Sequence, residues 1–162
     1  LSQKENFTFI PKIDFDSIID AVNQAVELNN IELIIIGTNG ATGAGEVVFG
    51  SNTIKIIRNV NCPVIAVPEG YTFEKINSVL LSINYEYDVT GKAMEILVEI
   101  VKKHEASLKV LEILEENIEL ASKKSDLNEL FKDIKIERFC IKDLPAPMAI
   151  NAFEQLIPVQ LH

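Results

Sequence analysis

The sequence predicts an α/β fold built on an open parallel sheet with helices on both faces, and three observations carry that prediction. Short apolar runs of strand length alternate with segments whose apolar residues recur at helical spacing, as βα units require. The run Leu33-Ile34-Ile35-Ile36 is apolar and stops at Gly37, the pattern of a strand buried on both faces of a parallel sheet. Five of the seven glycines then fall between Gly37 and Gly50, between that strand and the next helix. Glycines this concentrated mark backbone that must bend or approach something closely.

Each element follows in order. Residues 7–10, Phe-Thr-Phe-Ile before Pro11, predict a short edge strand, because proline cannot donate to a ladder. From Asp16, Ile18, Ile19, Ala21, Val22, Ala25 and Val26 mark an amphipathic helix, capped by Asp14 or Asp16 and stopped at Asn29-Asn30. Residues 31–36 form the best strand, and a helix runs from Ser51 through Ile54, Ile57 and Val60 toward Asn61. Residues 62–68, Cys-Pro-Val-Ile-Ala-Val-Pro, read as a strand near an edge, closed by Glu69-Gly70. In the second half, residues 79–83, 108–114 and 134–141 predict strands. Between and after them fall helices over 92–103, with Ala93, Ile96, Leu97, Ile100 and Val101 inward, over 116–133, with Leu120, Leu127, Leu130 and Phe131 inward, and over 145–156. Pro145 suits a first helical turn, where its missing N–H costs little.

The 162 residues suit one α/β domain or two partial ones, and a 48% hydrophobic share excludes wholesale disorder. Fifteen Lys and Arg against 24 Asp and Glu give a net charge of −9 with no basic cluster, which disfavours nucleic-acid and membrane partners. No apolar run approaches the ~20 residues of a membrane span, and no signal peptide opens the chain, so a cytoplasmic setting is expected. Cys62 and Cys140 form no CxxC motif and read as reduced core thiols rather than metal ligands. The chain opens at Leu1 and closes on a strand-like tail, Val159-Gln160-Leu161-His162, which suggests a piece of something longer.

The chemistry concentrates at Gly37-Thr38-Asn39-Gly40 and, nine residues further on, Gly50-Ser51-Asn52 at a helix start. A glycine-lined turn after a strand exposes backbone N–H groups, and a helix N-terminus adds unpaired donors and partial positive charge. Together they form an anion cradle, although such turns also occur without a ligand. Ser51 can donate to a phosphate or cap its own helix. There is no GxxxxGK[ST], and Gly43-Ala44-Gly45 is not a dinucleotide fingerprint.

The motif Gly37-x2-Gly40-x9-Gly50-Ser51, preceded by Leu33-Ile34-Ile35-Ile36 and followed by Ile57-Arg58-Asn59-Val60-Asn61-Cys62-Pro63-Val64-Ile65-Ala66-Val67-Pro68, resembles the C-terminal half of a universal stress protein domain. The resemblance covers about residues 16–68. In the ATP-binding branch of that family, G-x2-G-x9-G-[ST] surrounds the phosphates and ribose. It implies that role for Gly37, Gly40, Gly50 and Ser51, with Asn52 as a lesser neighbour. ATP is the cofactor implied, with or without Mg²⁺.

That family orders its sheet 3-2-1-4-5, but residues 1–70 resemble only its third strand onward. Residues 71–162 resemble the first half of another module, with strands at 79–83, 108–114 and 134–141. The expectation is a fragment of a tandem protein, completing one five-stranded sheet in permuted form within the chain or in swapped form between two chains. The connection from Pro68 to Val79 can reach ~36 Å, against roughly 20 Å along a strand and ~10 Å across two neighbours.

Asn84 stands where ATP-binding relatives carry an Asp that bonds adenine or ribose, and an amide accepts without charge assistance. Val110 and Leu111 stand where relatives touch adenine, and core packing is the competing role for both. The turn after Asn84 holds Glu86 and Asp88, and Asp88 is a candidate helix cap or Mg²⁺ ligand. Lys92 reads as a solvated helix position, His104 as a complement to a helix dipole, and Glu112, Glu115, Glu116 and Glu119 as a solvated face.

With no Ser-His-Asp spacing, no HExxH and no converging cysteines and histidines, the sequence offers no catalytic constellation and no metal site. The leading expectation is an ATP-binding regulatory protein of the stress response, working as a homodimer or strand-swapped oligomer. The alternatives are a module without nucleotide that pairs through its 64–67 strand, and slow ATP hydrolysis. A flavin site is disfavoured, since no aromatic pair suits a ring sandwich.

Overall fold

The computed structural model describes residues 8–38, 50–84, 91–114 and 123–162, the side chains of 123–126 apart. Expectations for Phe7, Asn39, Gly40, Glu86, Asp88, Glu115, Glu116, Glu119 and Leu120 lie outside the described residues. The chain divides into two units, Leu1–Tyr71 and Thr72–His162.

The first unit begins with α1, Ile18–Asn29. Its cap is Ser17, not Asp14 or Asp16. The Ser17 Oγ accepts from the Asp20 N–H at 3.2 Å and donates to Asp20 Oδ2 at 2.5 Å, while the Asp16 N–H turns back to Asp14 Oδ1 at 3.0 Å. A serine three residues ahead of an acid satisfies one orphan amide and places negative charge at the positive helix end. The helix stops at Asn30 in the left-handed conformation (φ 50°, ψ 47°), which asparagine tolerates better than most residues.

Strand β1, Ile34–Thr38, pairs in parallel with β2, Val64–Pro68, in a register running from Ile34 against Val64 to Thr38 against Pro68. Between them lies α2, Ser51–Asn59, which packs on α1. Among the described residues of this unit, Ile56, Val60, Thr38 and Thr53 lie below one-tenth exposure. A turn after β2 closes through the Tyr71 N–H to the Pro68 carbonyl at 3.2 Å, and Gly70 supplies its φ of +76°. Residues 8–10 form no strand; Phe9 and Ile10 stand exposed, and Pro11 withholds a donor.

The second unit holds β3 (Ser78–Ile83), α3 (Lys92–His104), β4 (Ser107–Leu114), α4 (Lys123–Leu130), β5 (Ile136–Lys142) and α5 (Ala146–Leu156). The strands are parallel in the order β3-β4-β5. Strand alternation sorts β4 onto two faces. Leu108, Val110 and Leu114 pack with Val101 of α3, with Leu127 of α4 and with Phe131 just beyond α4, while Leu111 and Ile113 pack with Ala149 and Phe153 of α5. The expected two-sided helical cover is therefore present here. Gly91 caps α3, in the position considered for Asp88, at φ +95° and ψ −177°, a conformation essentially reserved for glycine.

The α/β class and the parallel strands are as the sequence predicts, and among the described residues the strands form two sheets, of two and three. The edge of β3 that faces away from β4 is occupied. The C-terminal tail forms a parallel bridge there, Val79 with Leu161. The Leu80 N–H donates to the Leu161 carbonyl at 2.8 Å, the Gln160 N–H to the Ser78 carbonyl at 3.0 Å, and the Gln160 Oε1 accepts from the N–H groups of Asn77 and Ser78.

Both cysteines are free, yet neither is a core thiol: Cys62 is half-buried with its Sγ 3.6 Å from the Ile31 carbonyl, and Cys140 is exposed on edge strand β5. No helix among the described residues is long and apolar enough to cross a membrane.

Candidate functional site

The cradle residues occupy the two described ends of the glycine-rich segment. Gly37 is the penultimate residue of β1 and is exposed, and a methyl group built on its Cα would meet no atom of the described residues within 4 Å. Thr38 ends the strand and turns inward, 3% exposed. At the other end Gly50 occupies the cap position of α2 at φ −59° and ψ 154°, with Ser51 and Asn52 exposed in the first turn and Thr53 buried beneath them. Ser51 is therefore the first helical residue, not the cap. Asn39 and Gly40 lie outside the described residues.

The start of α2 differs from the start of α1 in what neutralises it. Gly50 has no side chain with which to cap, no acidic residue stands in the first turn, and Arg58 near the far end complements the dipole there. The opening amides of a helix have no acceptor within the helix. With no side-chain oxygen at the cap and no carboxylate in the first turn, this end carries unpaired donors and partial positive charge.

Two further residues expected at the site belong to the second unit. Asn84 follows β3, half-buried and already engaged in an interaction. Val110 is fully buried within the cluster beneath α3 and α4. Its neighbour Glu112, read from sequence as solvated, is instead 3% exposed. Glu112 is paired with Arg138 of β5, whose Nη1 lies 2.9 Å from Glu112 Oε1 and whose Nη2 donates to Asn128 Oδ1 at 2.6 Å. A buried carboxylate requires such a partner. Sequence reading missed it because Arg138 lies far along the chain on the neighbouring strand.

A second arrangement was invisible in the sequence. Ser82 Oγ lies 2.8 Å from His162 Nε2, and His162 Nδ1 lies 3.0 Å from Glu154 Oε1. These residues come from β3, the tail and α5, at separations no motif describes. Among the described residues no group of three or more histidines, cysteines and carboxylates is placed to hold a metal ion.

Residues 5–68 match the family model described as the Universal stress protein family. No curated protein matches the chain significantly. Among solved structures, the chain is similar to a universal stress protein from Archaeoglobus fulgidus DSM 4304, with a TM-score of 0.61 at 19% identity. That likeness covers 85% of this chain and 52% of the other, so the chain spans about half the length of that protein. The sequence resemblance thus holds over the segment that carries β1, the glycine-rich loop, α2 and β2. The fold of the chain is that of a universal stress protein.

Proposed function

We propose that the chain is a nucleotide-binding regulatory module of the stress response, taking ATP, with or without Mg²⁺, at the glycine-rich loop. The observation that carries this reading is the uncapped, acid-free start of α2 directly after that loop, within the segment that matches the family. Gly37, Thr38, Asn39 and Gly40 line the phosphates from the strand side, and Gly50, Ser51 and Asn52 from the helix side. Binding alone transmits a signal, since a ligand that prefers one conformation raises its population. A cytoplasmic setting fits the two free thiols.

Gly37→Ala isolates the binding role. The added methyl group meets no atom of the described residues, so the thermal midpoint of the variant should match that of the parent chain. A phosphate brought against that backbone would meet the methyl group, and titration calorimetry with Mg-ATP should show at least a ~10-fold loss of affinity, about 1.4 kcal/mol or more. No heat from the parent chain at millimolar Mg-ATP, or equal affinities for the two proteins, would discard the reading.

A second reading, a module that associates without nucleotide, draws on β2. Among the described residues this strand pairs on one side only, and all five of its residues are partly exposed. An edge of this kind is a ready template for another strand. Sedimentation is expected to show a dimer at micromolar concentration that persists without nucleotide, and a monomer throughout would exclude this reading.

A further inference from the structure

We propose that Ser82, His162 and Glu154 form a serine-nucleophile relay that cleaves small, unhindered acyl esters. The spacing is that of a nucleophile, a base and an orienting acid: 2.8 Å from Ser82 Oγ to His162 Nε2, and 3.0 Å from His162 Nδ1 to Glu154 Oε1. An ionised carboxylate only accepts, so the proton between Glu154 and the ring resides on Nδ1. That tautomer leaves the Nε2 lone pair to receive the hydroxyl proton of Ser82.

Each member stands on a braced element. Ser82 lies in β3, half-buried, one residue from the end of the strand. His162 is held by the tail, which is bonded to β3 through Gln160 and Leu161. Glu154 follows Phe153 on α5, which is buried and packs edge-on against Phe139 at 4.8 Å. The side chains of His162 and Glu154 are 33% and 38% exposed, so a small substrate can reach the relay from solvent.

The reaction balances without a co-reactant other than water. Ser82 Oγ adds to the ester carbonyl carbon as its proton passes to His162 Nε2, and the carbonyl electron pair moves onto oxygen. The intermediate collapses, the carbon–alkoxide bond breaks, and the alcohol leaves with the proton from Nε2. Water then adds to the acyl-serine with the same base, releasing the carboxylic acid and restoring the Ser82 hydroxyl. His162 is a catalytic residue in this scheme and Glu154 a positioning residue.

The test is p-nitrophenyl acetate hydrolysis by the whole chain, with a fluorophosphonate probe and peptide mass spectrometry to locate the reactive serine. Ester hydrolysis above background and an adduct on Ser82 are expected. Ser82→Ala should lower the rate at least ~10-fold, a size typical of lost nucleophile or base function. His162→Gln, which retains a hydrogen-bonding side chain, should abolish labelling with little change in thermal midpoint. Glu154→Gln should lower kcat while leaving KM unchanged, a split that a purely structural tether would not produce. A parent chain no faster than Ser82→Ala, or an adduct confined to other serines, would overturn the proposal.

Discussion

Arg138→Met is expected to lower the unfolding free energy of the second unit by about 3 kcal/mol, the scale on which removing one partner of a buried ion pair destabilises a protein. The Glu112 side chain is 4% exposed and lies on β4 between Val110 and Leu114, on the face covered by α3 and α4. The Arg138 guanidinium meets that carboxylate at 2.9 Å and Asn128 of α4 at 2.6 Å, tying the helix to two strands at once. Methionine fills much of the same volume but supplies neither donor. The carboxylate then keeps its desolvation cost without its counter-charge. Arg138 is 30% exposed, so water offsets part of the loss, which places the expectation at the low end of the range for buried pairs. Urea denaturation at neutral pH measures it, and a change below about 1 kcal/mol would place the pair among surface bridges of little worth.

Phe131→Ala is expected to cost about 4 kcal/mol, near the middle of the range for truncating a fully buried phenylalanine. Phe131 is 1% exposed and fills the cluster with Leu108, Val110 and Leu127. It is held in the turn after α4, its N–H bonded to the Leu127 carbonyl at 3.1 Å and its carbonyl to the Ile134 N–H at 2.9 Å. Truncation leaves a cavity that the fixed strands on one side can close only partly. Leu156→Ala provides the contrast. That side chain is 82% exposed, and its loss is expected to shift stability by no more than about 0.5 kcal/mol. Equal effects at the two positions would contradict the assignment of the core to the β4 face that carries Val110.

Most elements were legible because their signals are local. The apolar stripe of α3, the β-branched run of β1 and the Gly-Ser start of α2 each follow from residues within a few positions of one another. The cap of α1 was misread by one residue because Asp14, Asp16 and Ser17 are all competent caps, and only the backbone conformation at Ser17 separates them. The strand expected over 7–10 has only an alternation pattern in its favour. A strand also needs a partner, and the described residues 8–10 have none.

The candidate site divides in the same way. Gly37, Gly50, Ser51 and Asn52 could be named from spacing, because a strand, a glycine-rich turn and a helix start follow one another along the chain. Glu112 could not be assigned to the interior, since its burial depends on Arg138 on the next strand. Nor could His162 be joined to Ser82 and Glu154, which approach it only after the tail docks on β3 and α5 packs beneath the sheet.

By itself, the sequence determined the α/β class, the approximate placing of the strands and helices and the anion-cradle motif, all properties of short-range periodicity and backbone preference. Tertiary structure alone decided which strand occupies the edge of β3, which carboxylate is buried and which serine meets a histidine. Those outcomes depend on register and packing between residues tens of positions apart, where local pattern carries no information about partners.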